Sequence, residues 1–401
     1  MVSEPIAAIA VSSAAPVAES LDQVAARVRR HLPVLDGLRG IAILLVVVHN
    51  VGHWQGPLPS VFAKLVYFLH APGWIGVQLF FVLSGFLITG ILLDSRGREG
   101  ALRTFWLRRV LRIFPLYYAV VFVGTLVLPA LGVFSPKVLD AVERTRVFYW
   151  TYLSNWTDLK TGGIPFFPHF WSLAVEEQFY LVWPLAVLTL ERRTLLRTAI
   201  ALGVVALLVR AGLRFAGMAP GAAYEFTVAR MDSLTFGAAG AIVVRDRALL
   251  ERVAPRLKKT ILVTAGAVLA IWPLTRGFNV ENLFVQIVGF AVLTVLFTAL
   301  ILDVVIRPQS RLALRLSAPW LRWFGKYSYA IYVFHFPIGY FLAPRFVPTI
   351  DSLPIGRSLA ALAAFELTVL VLSVGAALVS WNVLERWALA LKDKVAVRTS
   401  A

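Results

Sequence analysis

The chain contains no cysteine in 401 residues, so it has neither a disulfide framework nor a thiolate metal site. Charge is scarce as well. Asp, Glu, Lys and Arg make up 15% of the chain, where a soluble domain carries roughly 25%. Acidic residues are the scarcer kind, 22 against 39 Lys and Arg, for a formal net charge of +17. Apolar residues fill the space, at 59%, with a mean hydropathy of +0.77. One soluble core cannot hide that much apolar surface, and the chain needs lipid as part of its solvent. The positive charge would suit nucleic acid, but the basic residues sit between apolar runs. That is the pattern of inward loops in membrane proteins, and no nucleic-acid partner is expected.

Residues 1–33 read as a disordered tail that ends in Arg27, Arg29 and Arg30. Its start is rich in Ala, Ser and Val, is broken by Pro16, carries Glu4 and lacks a basic n-region, so it fits a cleaved signal peptide poorly. Ten apolar runs follow, at about 34–55, 76–94, 110–132, 173–190, 196–215, 229–245, 260–275, 283–303, 323–343 and 358–382. Each is near the roughly 20 residues that a helical span requires. The expected fold is all-α, a polytopic transmembrane helical bundle of about ten spans over residues 34–385, with a basic cytoplasmic tail at 386–401. The longest stretch between runs, 133–172, holds Gly162-Gly163, Pro165 and Pro168 and reads as a structured loop. With the N-terminus inside, the inner segments carry 27 Lys and Arg and the outer loops 8, while Arg39, Arg210, Arg214 and Arg230 lie within runs. Both termini are therefore expected to face the cytoplasm.

Ionisable residues at bilayer depth are costly and mark functional sites by default. They concentrate in six segments: Leu35-Asp36-Gly37-Leu38-Arg39-Gly40 leading to His49-Asn50; Gly76-Val77-Gln78 through Ser84-Gly85-Phe86-Leu87; Phe105-Trp106-Leu107-Arg108-Arg109 through Arg112 to Pro115; His169-Phe170-Trp171-Ser172 through Glu176-Glu177-Gln178-Phe179-Tyr180; Arg230-Met231-Asp232-Ser233; and Lys326-Tyr327-Ser328 through Tyr332 to His335-Phe336-Pro337. In this order they resemble the signatures of the membrane acyltransferase family 3, whose members O-acetylate or O-acylate bacterial polysaccharides and related glycans. The resemblance runs from about residue 35 to 385. It implies an integral O-acyltransferase of the bacterial inner (plasma) membrane. Acyl-CoA, acetyl-CoA foremost, would be the cytoplasmic co-substrate, with no tightly bound cofactor and no metal. A hydroxyl of a cell-surface or lipid-linked glycan would be the outer acceptor, and membrane lipids the surroundings. Some relatives carry a further C-terminal hydrolase-like domain, which is not expected here because the chain ends soon after the tenth run. The oligomeric state stays open.

His49 is the candidate general base, because acyl transfer to a hydroxyl needs a proton acceptor that works near neutral pH. The competing reading is a helix-packing histidine. The family pattern sets ten residues between this arginine and histidine, whereas nine separate Arg39 from His49. At about 100° per residue that leaves the pair about 80° apart. Asn50 takes the in-register position, and His53 shares nearly the same face as His49 and is held as the second candidate. Arg39 is a candidate donor-binding residue, or else snorkels to headgroups. Arg109 and Arg112 match the family and suit a clamp on phosphates, while Arg108 reads as ordinary inward charge. Glu176 and Glu177 are catalytic candidates that orient a histidine or an arginine, or are helix N-terminal charges. His169, Trp171 and Tyr180 are candidates for acceptor contact, the first two with an aromatic-belt reading beside them. Arg230 and Asp232 are candidate substrate-binding residues with a structural ion pair as the other reading; two residues apart, they do not face each other on a helix, so each is expected to pair with another span. Tyr332 and His335 join Ser328 on one polar stripe that lines a cavity or bonds between helices. Ser84 lacks the context of a nucleophile elbow.

A transporter of a lipid-linked sugar or small solute would also bury charges, but no internal repeat of the kind transporters show is evident. An acyltransferase acting on a small lipophilic molecule is the other rival. Direct transfer and an acyl-enzyme route both remain open.

Overall fold

A computed structural model describes residues 31–51, 68, 70–157, 162–352 and 355–391, and among them there are helices and no strands. The long helices are α1 (Pro33–Val51), α2 (Ile75–Asp94), α3 (Ala101–Phe122), α4 (Pro136–Trp150), α5 (Phe170–Thr189), α6 (Arg192–Phe215), α7 (Thr227–Val243), α8 (Leu257–Leu274), α9 (Phe290–Ile306), α10 (Pro319–Ser352) and α11 (Ile355–Ser380). Each of the ten apolar runs falls on one of them. The remaining helix, α4, lies in the 133–172 stretch. It starts with Pro136 at its first position, where a missing N–H costs nothing, and turns Val142, Thr145 and Tyr149 inward.

Seven helical stretches are long and apolar enough to cross a membrane: Pro33–Val51, Ala71–Asp94, Ala101–Ala130, Arg192–Phe215, Arg247–Leu274, Val285–Ile306 and Ala360–Leu391. Three of the expected spans, α5, α7 and α10, are not among them. They carry Glu176 and Glu177, Arg230 and Asp232, and the Ser328–Tyr332–His335 stripe, and α7 is also short, at 17 residues. Helices that carry polar groups into the bundle are thus found on both sides of the division, since α1 and α3 bring Arg39, Arg109 and Arg112 and still qualify.

Two close crossings set the interior. α1 meets α10 where a Cβ on Gly40 would lie 2.1 Å from the Leu321 carbonyl oxygen and one on Gly325 would lie 1.9 Å from that of Asp36. α2 meets α7 in the same way, with 1.8 Å from Gly85 to the Leu234 oxygen and 2.0 Å from Gly237 to that of Val82. Backbones this close admit only glycine, the usual means by which helices associate in lipid. The crossings hold Arg39, Ser84 and the α10 stripe around a shared space.

Candidate active site

That space is a cavity of about 1000 Å³. Its mouth lies at the helix ends richest in Lys and Arg, among His31, Asp94, Arg245, Arg322 and Lys326. Arg39 of α1, Arg109 and Arg112 of α3, and Glu176, Glu177 and Tyr180 of α5 line its middle. Val77, Phe80, Ser172 and Tyr332 belong to its far end. The walls are pinned to one another. Trp106 Nε1 donates to the Tyr180 carbonyl (3.0 Å), and the Tyr329 hydroxyl donates to the Ile113 carbonyl (2.8 Å), so α3 is tied to both α5 and α10. At the mouth, Arg245 grips both oxygens of Asp94 at 2.9 and 2.7 Å.

The charges in the middle are not neutralised in pairs. Among the described residues, none of Arg39, Arg109, Arg112, Glu176 and Glu177 has an ion-pair partner within 4.0 Å, in contrast to the pairs formed elsewhere in the bundle. The Arg109 guanidinium lies 3.9 Å above the Tyr180 ring, and its Nε has no hydrogen-bond partner. Glu176 accepts from the Ser84 hydroxyl at 2.6 Å. Ser84 therefore serves as a donor to a carboxylate, which its sequence context gave no reason to expect. At the far end the hydroxyls of Ser172 and Tyr332 are 2.6 Å apart, and both reach the His169 carbonyl, at 3.1 and 2.9 Å.

Behind Tyr332 lies a node of imidazoles. His169 and His335 are 5% and 0% exposed, with ring centroids 4.9 Å apart. His335 Nδ1 sits 2.6 Å from the Tyr332 carbonyl oxygen, and Asn50 Nδ2 lies 2.8 Å from His335 Nε2. The in-register position of α1 thus faces α10. His49, one residue earlier, has its Nδ1 3.1 Å from the His70 carbonyl oxygen and does not line the cavity. His53 lies outside the described residues.

Trp171, Arg230 and Asp232 also lie away from the cavity. Asp232 pairs with Arg210 of α6 at 2.8 Å, and Arg230 donates to Gln78 of α2 at 2.7 Å, so each does bond to another helix. Gln78 in turn donates to Ser233 and Thr294. The rest of the Arg230 guanidinium is packed among the rings of Phe81, Trp171, Tyr224 and Phe290, 4.7–5.6 Å away.

The structure thus brings Arg39, Arg109, Arg112, Glu176, Glu177, Tyr180 and Tyr332 around one cavity, with His169 and His335 just beyond it. Comparison with known proteins identifies the family. Residues 32–381 match the family described as an acyltransferase domain, Acyl_transf_3. The peptidoglycan O-acetyltransferase OatA of Listeria monocytogenes is 31% identical over 327 residues, which is 77% of this chain and 50% of that protein. The putative peptidoglycan O-acetyltransferase YrhL of Bacillus subtilis is 33% identical over 77% of this chain and 49% of its own length. The O-acetyltransferase OatA of Staphylococcus aureus is 28% identical over 79% of this chain and 52% of its own. The chain therefore spans about half the length of the curated relatives it matches. No solved structure matches. On the family match over residues 32–381, the chain belongs to the acyltransferase family 3.

Proposed function

We propose that this chain is a multi-pass O-acetyltransferase of the bacterial inner membrane. It would move an acetyl group from cytoplasmic acetyl-CoA to a hydroxyl of peptidoglycan or a related cell-surface glycan. The observation that carries this reading is the set of Arg39, Arg109 and Arg112, without ion-pair partners among the described residues, in a cavity that also reaches the hydroxyls of Ser172 and Tyr332. The relatives' names supply the acceptor class. The charge bias supplies the orientation, with about ten spans, both termini in the cytoplasm and the cavity mouth toward the donor.

In this reading the guanidiniums hold the donor's phosphates, since arginine binds phosphate bidentately. Glu176, fixed by Ser84, and Glu177 orient those guanidiniums and limit the number of anions the site accepts. Val77, Phe80 and Leu173 flank the acyl arm. The hydroxyl of Ser172 or Tyr332 turns from the His169 carbonyl to donate to the thioester carbonyl as negative charge builds on it, electrostatic stabilisation of the kind that dominates acyl transfer.

The test uses purified protein in detergent with acetyl-CoA, muramic-acid-containing glycan strands, N-acetylglucosamine oligomers and a lipophilic alcohol. Released CoA is read with a thiol reagent, and the background is clean because the chain has no cysteine. Acceptor-dependent CoA release with acetyl ester on the glycan supports the reading. Esters on the lipophilic alcohol alone would move the acceptor class. Glycan movement into proteoliposomes with no turnover of any acyl-CoA would replace the reading with transport.

A further inference from the structure

We propose that His169 is the general base that deprotonates the acceptor hydroxyl, with His335 and Asn50 positioning it; this rests on the acyl-transfer reading above and adds the group that performs the proton transfer. The other imidazoles in this region are each committed to a partner. His335 Nδ1 donates to the Tyr332 carbonyl (2.6 Å), which leaves the Nε2 lone pair, and Asn50 Nδ2 donates to that lone pair at 2.8 Å. His49 directs Nδ1 to the His70 carbonyl (3.1 Å). His169 differs. Its Nε2 faces the Val333 carbonyl at 3.4 Å and so carries the proton, while its Nδ1 is buried with no hydrogen-bond partner. A lone pair sealed from water and left unmatched costs stability. A hydroxyl donor from a ligand would satisfy it.

Its position suits that role. His169 lies one helical turn before Ser172, and the Tyr332 hydroxyl joins the Ser172 hydroxyl to the His169 carbonyl (2.6 and 2.9 Å). The Tyr332 ring, which lines the donor cavity, lies 5.2 Å from the imidazole. The face turned away from the cavity leads through His335 to half-buried Asn50 near the opposite end of α1. The node therefore sits between the donor cavity and the far side, where an acceptor would arrive. In the step, the acceptor O–H gives its proton to His169 Nδ1 and its oxygen bonds to the thioester carbonyl carbon. The C–S bond breaks, and the departing CoA thiolate takes the proton back from the imidazolium. One ester and one thiol result, and His169 returns to its starting form.

The experiment compares wild type with His169→Gln, His335→Gln and His49→Gln in full-length protein, using acetyl-CoA and muramic-acid-containing glycan strands. Acetyl-CoA binding by calorimetry serves as the folding control. For His169→Gln the expected result is a loss of about 100-fold to 10,000-fold in kcat, with donor affinity kept within about twofold. The fall of kcat/KM at low pH disappears in this variant, and added imidazole restores part of the rate. His335→Gln should lose less and keep the pH dependence. Wild-type rate and pH profile in His169→Gln, with the loss appearing in His49→Gln or His335→Gln, would overturn the assignment and leave acyl transfer standing. A His169→Gln protein that binds no acetyl-CoA would also overturn it, because the residue would then be structural. A wild type that transfers acetyl to nothing would bring down the acyl-transfer reading itself.

Discussion

Two regions of this bundle bury charge, and they do so in opposite ways. Around Arg210 and Asp232, with Arg230 and Gln78 alongside, the polar groups bond mainly to one another. Arg210 also donates to the Gln286 and Ala229 carbonyls, and both arginines are fully buried. Around Arg39, Arg109 and Arg112 the guanidiniums face a cavity with no ion-pair partner among the described residues, although Glu176 and Glu177 are close by. The Arg210–Asp232 pair is complete without a ligand, and the Nε and Nη1 of Arg230, which have no hydrogen-bond partner, are packed among rings away from the cavity; the second region opens onto it. An intramembrane charge is thus a better marker of function when it faces a cavity without a counter-ion than when it is merely buried. Sequence position alone makes Arg230 and Asp232 look as much like site residues as Arg109 does.

The comparison can be broken most forcefully in the closed network. Asp232→Ala leaves the Arg210 guanidinium buried without its counter-ion, and losses of that kind run to about 3–5 kcal/mol. The expected result is a large fall in thermal stability in detergent, while the fraction that stays folded binds acetyl-CoA with unchanged affinity. A variant as stable as wild type would show that the network is not the structural half of the pair.

The open region should respond the other way. Arg109→Ala removes a charged donor that, on the proposed function, meets ligand rather than protein, and a charge-assisted hydrogen bond is worth about 1.5–3 kcal/mol. The KM for acetyl-CoA should rise by about 10-fold to 100-fold with the melting temperature unchanged, and Arg39→Ala should move the same way. A stability loss without a donor effect would make Arg109 a packing residue. Salt offers a smaller contrast without mutation. Exposed charges are screened at a Debye length of about 10 Å at 0.1 M, and buried pairs far less. Raising sodium chloride from 0.05 to 0.5 M should increase the acetyl-CoA KM a few-fold and leave the melting temperature nearly still. Equal sensitivity of both would erase the distinction between the regions.

Much of this was legible in the sequence. The apolar runs located all ten of the helices expected from them, and the six polar segments contained most of the cavity lining. The partners were not legible. Helical periodicity gives relative angles along one helix but not the direction that any angle faces, so it could register the mismatch between Arg39 and His49 without showing that Asn50 is the residue turned to His335. α4 was missed because its amphipathic pattern is short and sits among loop signals. The start of α3 at Ala101 rather than near 110 was hidden by its basic first turns, since charge ends an apolar run without ending a helix. Ser84 was set aside for lacking a nucleophile's context, and nothing local to it reveals a carboxylate 92 residues away.

That last contact yields the mildest test. Ser84→Ala removes the hydroxyl that donates to Glu176 at 2.6 Å and leaves the carboxylate in place. A single hydrogen bond contributes about 0.5–1.5 kcal/mol net, rising when the acceptor is charged. If Glu176 serves to hold the guanidiniums in register for the donor, releasing it should cost acetyl transfer about 3-fold to 10-fold, mainly in KM. Stability should barely change, because Glu176 opens onto the cavity and water can replace the lost donor. The same substitution in the closed network, Ser233→Ala, takes away a fully buried hydroxyl that lies 2.5 Å from Gln78. It should act on melting temperature and not on KM. Opposite signatures from two serine-to-alanine changes of the same size would show that the contrast lies in the surroundings and not in the residue.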